Sequence, residues 1–262
     1  RDGRDATNEL SYIIMRSKRE CPLHYPDLAA RVHSRSPERF LTAVAEMIKQ
    51  GCGFPKLLND DEIIPLHLAK GAPLEDIYDY AASGCAEIRM PRVDTYTSGH
   101  AQMNFGAAVE LMLYNGKDPL TKKQLGIETG DPTEFQSFDE VYDAYKKQLR
   151  HIFGISRKHS DLSQMARLQV VPSIFRSVMY DGCIEKGMCE EAGGTRYPQV
   201  NPIMTAGIDA ANSLLAIKHL VFDTKKITMA QLMEAIKANF EGYEDIRKMC
   251  FEAPKHGNDY PE

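Results

Sequence analysis

The chain has 262 residues, 43% of them hydrophobic and 26% charged, with a formal net charge of −5. That length can bury a sizeable core, and the basic residues are interspersed with acids, which argues against nucleic acid or an anionic membrane as a partner. No apolar run approaches the ~18–20 residues of a membrane-spanning helix, and Arg1-Asp2-Gly3-Arg4-Asp5 lacks the apolar stretch of a secretory leader, so a cytoplasmic protein is expected.

In chain order, Ser36-Pro37-Glu38 supplies a cap, a first-turn proline and an acid for a helix whose stripe is Phe40, Val44, Met47 and Ile48, with Gly51 to end it. Asn59-Asp60-Asp61-Glu62 opens a second helix that Gly71 closes. Pro73-Leu74-Glu75 opens a third, running through Ile77 and Tyr80 to Ser83-Gly84, and a fourth covers Ala101 to Tyr114. Residues 116–136 are rich in turn formers and read as a surface excursion. Phe138 to Phe153 is helical, with Val141, Tyr142, Tyr145 and Leu149 on one side. Asp209 to Leu220 reads as a buried helix, and Thr228 with Gln231 makes a capping box for the helix carrying Leu232, Ile236 and Phe240. Short strands are expected at Leu168 to Pro172, Ile88 to Met90 and Thr95 to Thr97. Helices with brief apolar strands suggest an α/β layout, taken as one domain over residues 1–262.

The cysteines Cys21, Cys52, Cys85, Cys183, Cys189 and Cys250 are widely spaced. A reduced set of thiols fits better than a disulfide framework, and without Cys-x-x-Cys or paired-histidine spacing no bound metal is expected. Cys183, Cys189 and Cys250 read as inert. Gly193-Gly194 suggests a tight turn, since no Lys-Ser/Thr follows to make a phosphate cradle.

Ser83-Gly84-Cys85-Ala86-Glu87 puts a thiol among small residues with a carboxyl two positions on. In extended backbone, residues i and i+2 point to the same side, so Cys85 and Glu87 would face one pocket. On spacing alone a buried cysteine is usually a small hydrophobe. A helix end before the thiol does not lower its pKa as a helix start would, so hydrolysis by a cysteine nucleophile is the weaker chemistry. Arg89 and His100 follow closely and are candidate anchors for a substrate carboxylate, by a bidentate pair and a hydrogen bond respectively. The blander readings are a structural arginine and a histidine at a helix start. Arg31 and His33 read as parts of a structural strand or loop.

Several words occur in order: residues 5–12 (Asp-Ala-Thr-Asn-Glu-Leu-Ser-Tyr), Arg31-Val32-His33, Gly51-Cys52-Gly53-Phe54-Pro55 with Asn59-Asp60-Asp61-Glu62, and the Cys85 segment. Asp181-Gly182-Cys183-Ile184-Glu185-Lys186-Gly187, Gly193-Gly194-Thr195-Arg196-Tyr197, residues 210–218 and residues 238–243 follow. Together they resemble the pyruvate formate-lyase-like glycyl radical enzymes, in the eliminase and decarboxylase branch, over nearly the whole chain. The resemblance implies part of a ten-stranded α/β barrel of two five-stranded halves, helix-rich, with the cysteine on an inner loop. It implies that Cys85 is the thiyl-radical residue and Glu87 the acid/base carboxylate, acting in a dry pocket that raises the carboxyl's pKa. No cofactor is expected to be bound by this chain. The resemblance implies a protein glycyl radical on a glycine outside it, installed by a radical-SAM activating enzyme. A small-molecule substrate and a homodimer are the other partners implied.

Departures from the pattern refine this expectation. Gly84 stands where pyruvate formate-lyase has a second cysteine, arguing against formate acetyltransferase activity. Ile88-Arg89-Met90-Pro91 replaces the proline that usually follows the glutamate in the diol, choline and hydroxyproline branches. The reaction expected is therefore decarboxylation of an arylacetate-type acid by a carbon–carbon lyase. The first alternative is a C–O, C–N or C–S bond-cleaving eliminase, and the second a non-catalytic helical scaffold. No Arg-Val-x-Gly-Tyr-like radical word is present, so both ends read as cuts and this piece alone is expected to be inactive.

Overall fold

A computed structural model describes residues 4–84, 87–95, 98–198 and 201–258, with 98–101 and 201 described by their backbone. The elements in chain order are α1 (Glu9–Glu20), β1 (Ala29–Val32), α2 (Glu38–Ile48), β2 (Lys56–Asn59), α3 (Asp60–Ala69), α4 (Leu74–Tyr78), β3 (Ala81–Ser83), β4 (Glu87–Arg89) and β5 (Ser98–Asn104). They continue with α5 (Phe105–Leu113), α6 (Phe138–Val170), α7 (Ile174–Ser177), α8 (Cys183–Lys186), β6 (Asn201–Thr205), α9 (Gly207–Ile217), α10 (Met229–Lys237) and α11 (Glu244–Glu252). The chain divides into two compact units, Arg1–Tyr96 with Val171–Gln199, and Thr97–Val170 with Val200–Glu262.

In the first unit, α1 starts where the Asn8 side chain accepts the Leu10 N–H at 2.9 Å and the Ser11 hydroxyl receives the Asn8 N–H. Its Met15 joins Phe40, Val44 and Met47 of α2, with Ala30 and Phe54, in one core cluster. The Ser36 hydroxyl accepts the His33 N–H at 3.0 Å instead of capping α2, which begins after Pro37. Asn59 caps α3 through the Asp61 N–H, and Gly71, at φ +90, follows its end, both as the sequence predicts. β1 and β2 pair in parallel, Arg31 opposite Leu58. A second cluster, Leu58, Ala72, Ile77, Tyr80, Met90 and Val93, lies beneath the hairpin of β3 and β4.

In the second unit, β5 and β6 pair in parallel, with a register irregularity between Ser98 and Gln102. α5, α9, α10 and the first half of α6 enclose a core that includes Met112, Val141, Tyr145, Leu214, Leu220 and Leu232. The Thr228–Gln231 capping box opens α10 as predicted. Residues 116–130 form a loop fastened by Asn115, whose side-chain oxygen accepts the Thr129 and Gly130 N–H groups. The buried Gln148 brackets Ile127, accepting its N–H and donating to its carbonyl.

Three sequence readings are corrected. The third helix stops at Tyr78, and Ala81–Ser83 instead pairs antiparallel with Glu87–Arg89. The fourth begins at Phe105, where Asn104 caps the Ala107 N–H at 3.1 Å, because the preceding residues are claimed by pairing with β6. Leu168 to Val170 continues α6 rather than forming a strand. The helix runs on until Pro172, which disfavours helical backbone at Val171.

Candidate active site

The site is built on the β3–β4 hairpin of the first unit. Ser83 pairs with Glu87, Ala82 with Ile88 and Ala81 with Arg89. Cys85, the expected thiyl residue, and Ala86 lie in the link between these strands and outside the described residues. Gly84 takes φ +57, a left-handed conformation that favours glycine. Its carbonyl accepts Lys56 Nζ at 3.1 Å, and the same ammonium pairs with Asp27.

Glu87 is half-buried, and its carboxylate folds back over Gly84. A Cβ at Gly84 would lie 2.9 Å from Glu87 Oε2 and 3.1 Å from Oε1. The backbone angle favours glycine, and the Glu87 carboxylate lies in the space a side chain here would enter. The carboxyl thus sits two residues on from the cysteine in sequence, on the strand that follows the link.

Arg89 shares a face of β4 with Glu87. It is buried, at 6% exposure, and its Nη1 donates to the Thr95 carbonyl at 2.7 Å. Thr95 and Thr195 meet through their hydroxyls at 3.0 Å, both buried. Asp94 accepts the Met90 N–H at 3.0 Å, and burial pushes its carboxyl up, offset in part by that N–H and by the charge of Arg89. Tyr197 stitches the segment down: its N–H donates to Val93 and its carbonyl accepts the Thr95 N–H. Arg196 binds Asp76 at 2.9 Å and Asp181 at 3.3 Å, and the Tyr197 hydroxyl donates to Asp76 at 2.8 Å. Sequence reading treated Gly193-Gly194-Thr195-Arg196-Tyr197 only as a family word and a tight turn. Its position here, bracing the strand that carries Glu87, needed long-range contacts to see.

His100 lies on β5 in the second unit, outside the side chains described. Arg31 forms a two-bond pair with Asp60, at 2.9 Å from both Nε and Nη2, and lies over the Tyr80 ring, and His33 Nδ1 accepts the Arg35 N–H. Both make contacts within the first unit of the fold. Cys183 is buried and its thiol is pushed up by burial; Cys250 is shifted the same way for the same reason. No helix is long and apolar enough to cross a membrane, among the described residues.

Comparison with known proteins supplies the family. The family described as pyruvate formate lyase-like matches residues 1–262. An isethionate sulfite-lyase from Bilophila wadsworthia is 50% identical over 98% of this chain and 31% of its own length. A crystal structure of hydroxyproline dehydratase from Clostridioides difficile, with trans-4-hydroxy-L-proline bound, superposes with a TM-score of 0.87 at 37% identity, covering 99% of this chain and 33% of that one. The chain thus spans about a third of the length of the relatives it matches. The same comparison favours the eliminase alternative over arylacetate decarboxylation. A 4-hydroxyphenylacetate decarboxylase glycyl radical subunit from C. difficile is 25% identical, far below the sulfite-lyase and the dehydratase. Ile88 in place of proline therefore does not separate this chain from the eliminases. With the likeness extending to sequence and three-dimensional structure alike, the chain is part of an α/β barrel of the glycyl radical enzyme type and belongs to the pyruvate formate lyase-like family.

Proposed function

We propose that this chain carries the thiyl and acid/base residues of a glycyl radical eliminase that breaks a carbon–heteroatom bond, C–S or C–O, in a small hydroxylated substrate. The observation that carries the reading is the Gly84–Glu87 arrangement, a carboxylate folded back over the glycine that precedes Cys85. Its kinship with a sulfite-lyase and a dehydratase supports the reaction class.

The glycyl radical, on a glycine beyond these residues and installed by a radical-SAM activating enzyme, supplies hydrogen-atom abstraction from the Cys85 thiol. The Cys85 thiyl then takes a hydrogen atom from a substrate C–H: an S–H bond forms, a C–H bond breaks, and the spin moves to carbon. On a carbon that bears a hydroxyl or an amine N–H, Glu87 takes that group's proton while the neighbouring carbon expels its leaving group with the bonding pair. That group is sulfite from a C–S bond, which takes the proton from Glu87 as it leaves as hydrogensulfite, or hydroxide from a C–O bond, leaving as water with that same proton. The product radical, now on the neighbouring carbon, recovers a hydrogen atom from the Cys85 thiol and restores the thiyl. Proton and hydrogen atom are both accounted for, and no external oxidant is consumed.

The test is anaerobic activation of the full-length enzyme followed by a product screen. Isethionate, trans-4-hydroxy-L-proline, glycerol and 4-hydroxyphenylacetate are offered, and sulfite, dehydrated product and carbon dioxide are measured. Sulfite release or dehydration supports the proposal. Carbon dioxide from the aryl acetate, with no elimination from the other three, overturns it.

A further inference from the structure

Arg89 lies two residues beyond Glu87 on a strand of three residues. Among the described residues, Nε and Nη2 of Arg89 are sealed from solvent and meet no acceptor, and Nη1 is spent on the Thr95 carbonyl at 2.7 Å. The donor that is met has a mechanical consequence. The guanidinium ties the end of β4 to Thr95, Thr95 is joined to Thr195 through their hydroxyls, and Val93 and Thr95 are hydrogen-bonded to Tyr197. Because Glu87 and Arg89 occupy one face of so short a strand, fixing Arg89 fixes the direction in which Glu87 leaves the backbone.

We infer that Arg89 is a positioning residue: it clamps the β3–β4 hairpin to the Thr95–Thr195 brace and so sets where the Glu87 carboxylate meets the substrate, and it does not hold the substrate's anionic group. The inference rests on the proposed acid/base role of Glu87. It differs from a substrate-anchor role in what it does to turnover and to binding.

The experiment uses the full-length enzyme, activated anaerobically, as wild type, Arg89→Met and Arg89→Lys. Rates are normalised to glycyl radical counted by electron paramagnetic resonance, and the probes are isethionate, trans-4-hydroxy-L-proline and uncharged glycerol. For whichever probe the wild type turns over, Arg89→Met is expected to lower kcat about tenfold or more with KM within about twofold. Arg89→Lys is expected to recover part of kcat, because its ammonium can still donate to the Thr95 carbonyl. A tenfold rise in KM for an anionic probe with kcat preserved overturns the inference in favour of an anchor. Unchanged kinetics overturn it too, as does loss of the radical in both variants, which would mean that the guanidinium holds the whole fold. A wild type that takes up no radical overturns the active-site reading and this inference together. A working wild type with unaffected variants overturns this inference alone.

Discussion

Replacing Gly84 by alanine separates the stability of the hairpin from its chemistry. The residue sits at φ +57, where a non-glycine side chain costs roughly 1–2 kcal/mol. The new Cβ would stand 2.9 Å from Glu87 Oε2, whereas ordinary van der Waals contact begins at 3.4 Å. The carboxylate must therefore retreat by about half an ångström, an easy move for the far end of a flexible side chain. The stability loss should stay near the backbone figure, about 1–2 kcal/mol, read from the denaturant midpoint of the full-length enzyme. Catalysis should suffer more than so mild a change suggests. A misplacement of about 1 Å costs roughly a hundredfold, so half of that predicts a fall in kcat per radical of about tenfold. A Gly84→Ala enzyme that loses the expected stability but keeps its kcat would refute the assignment of Glu87 as the acid/base group.

Other consequences are testable on the same protein. Glu87→Gln keeps the shape but cannot take a proton, and should lower kcat by roughly 10²–10⁴-fold in steady-state assays with the radical still present. Gly194→Ala would drive a Cβ to 2.1 Å from the Met188 carbonyl oxygen and 2.9 Å from that of Cys189, backbone atoms that cannot step aside. It should cost about 3 kcal/mol, and limited proteolysis should then cut between Gly182 and Tyr197. Thr228→Ala removes the capping box of α10, where Thr228 Oγ1 accepts the Gln231 N–H at 3.2 Å, and should lower stability by about 1 kcal/mol in chemical denaturation. Burial raises the Cys183 and Cys250 thiols, so both stay protonated through and above the pH at which an ordinary thiol ionises. Iodoacetamide near pH 8.5 should label the exposed Cys21 first, and Cys183 and Cys250 only as the pH is raised further. Equal labelling of all three would contradict the burial argument.

What the sequence made legible follows from range. Asn59 with Gly71, and Thr228 with Gln231, announce their helices because capping is decided within four residues. Two of the corrections involve a partner distant in sequence. Ala81–Ser83 was read as the tail of a helix because its neighbours are good helix formers, and only pairing with β4 makes it a strand. β5 was absorbed into α5 because its partner, β6, lies about a hundred residues on. Leu168 to Pro172 has the short apolar, β-branched look of a strand, and a run of that length does not distinguish a strand from the end of a long helix. At the site, the Cys-x-Glu spacing singled out the carboxylate, but the meaning of Arg89 was not local. A basic residue beside a reactive pair suggests an anion anchor, and its burial and its bond to Thr95 are what carry the inference of a clamp. For the reaction, one position after the glutamate points to a decarboxylase, while similarity over the whole chain favours an eliminase.

Replacing Cys85 in the activated full-length enzyme tests the central claim most directly. In Cys85→Ser the glycyl radical signal should still form, because its glycine lies elsewhere, while elimination from the wild-type substrate falls to background, since an alcohol O–H is too strong a bond for the radical to open. Turnover that persists at the wild-type rate per radical would contradict the account.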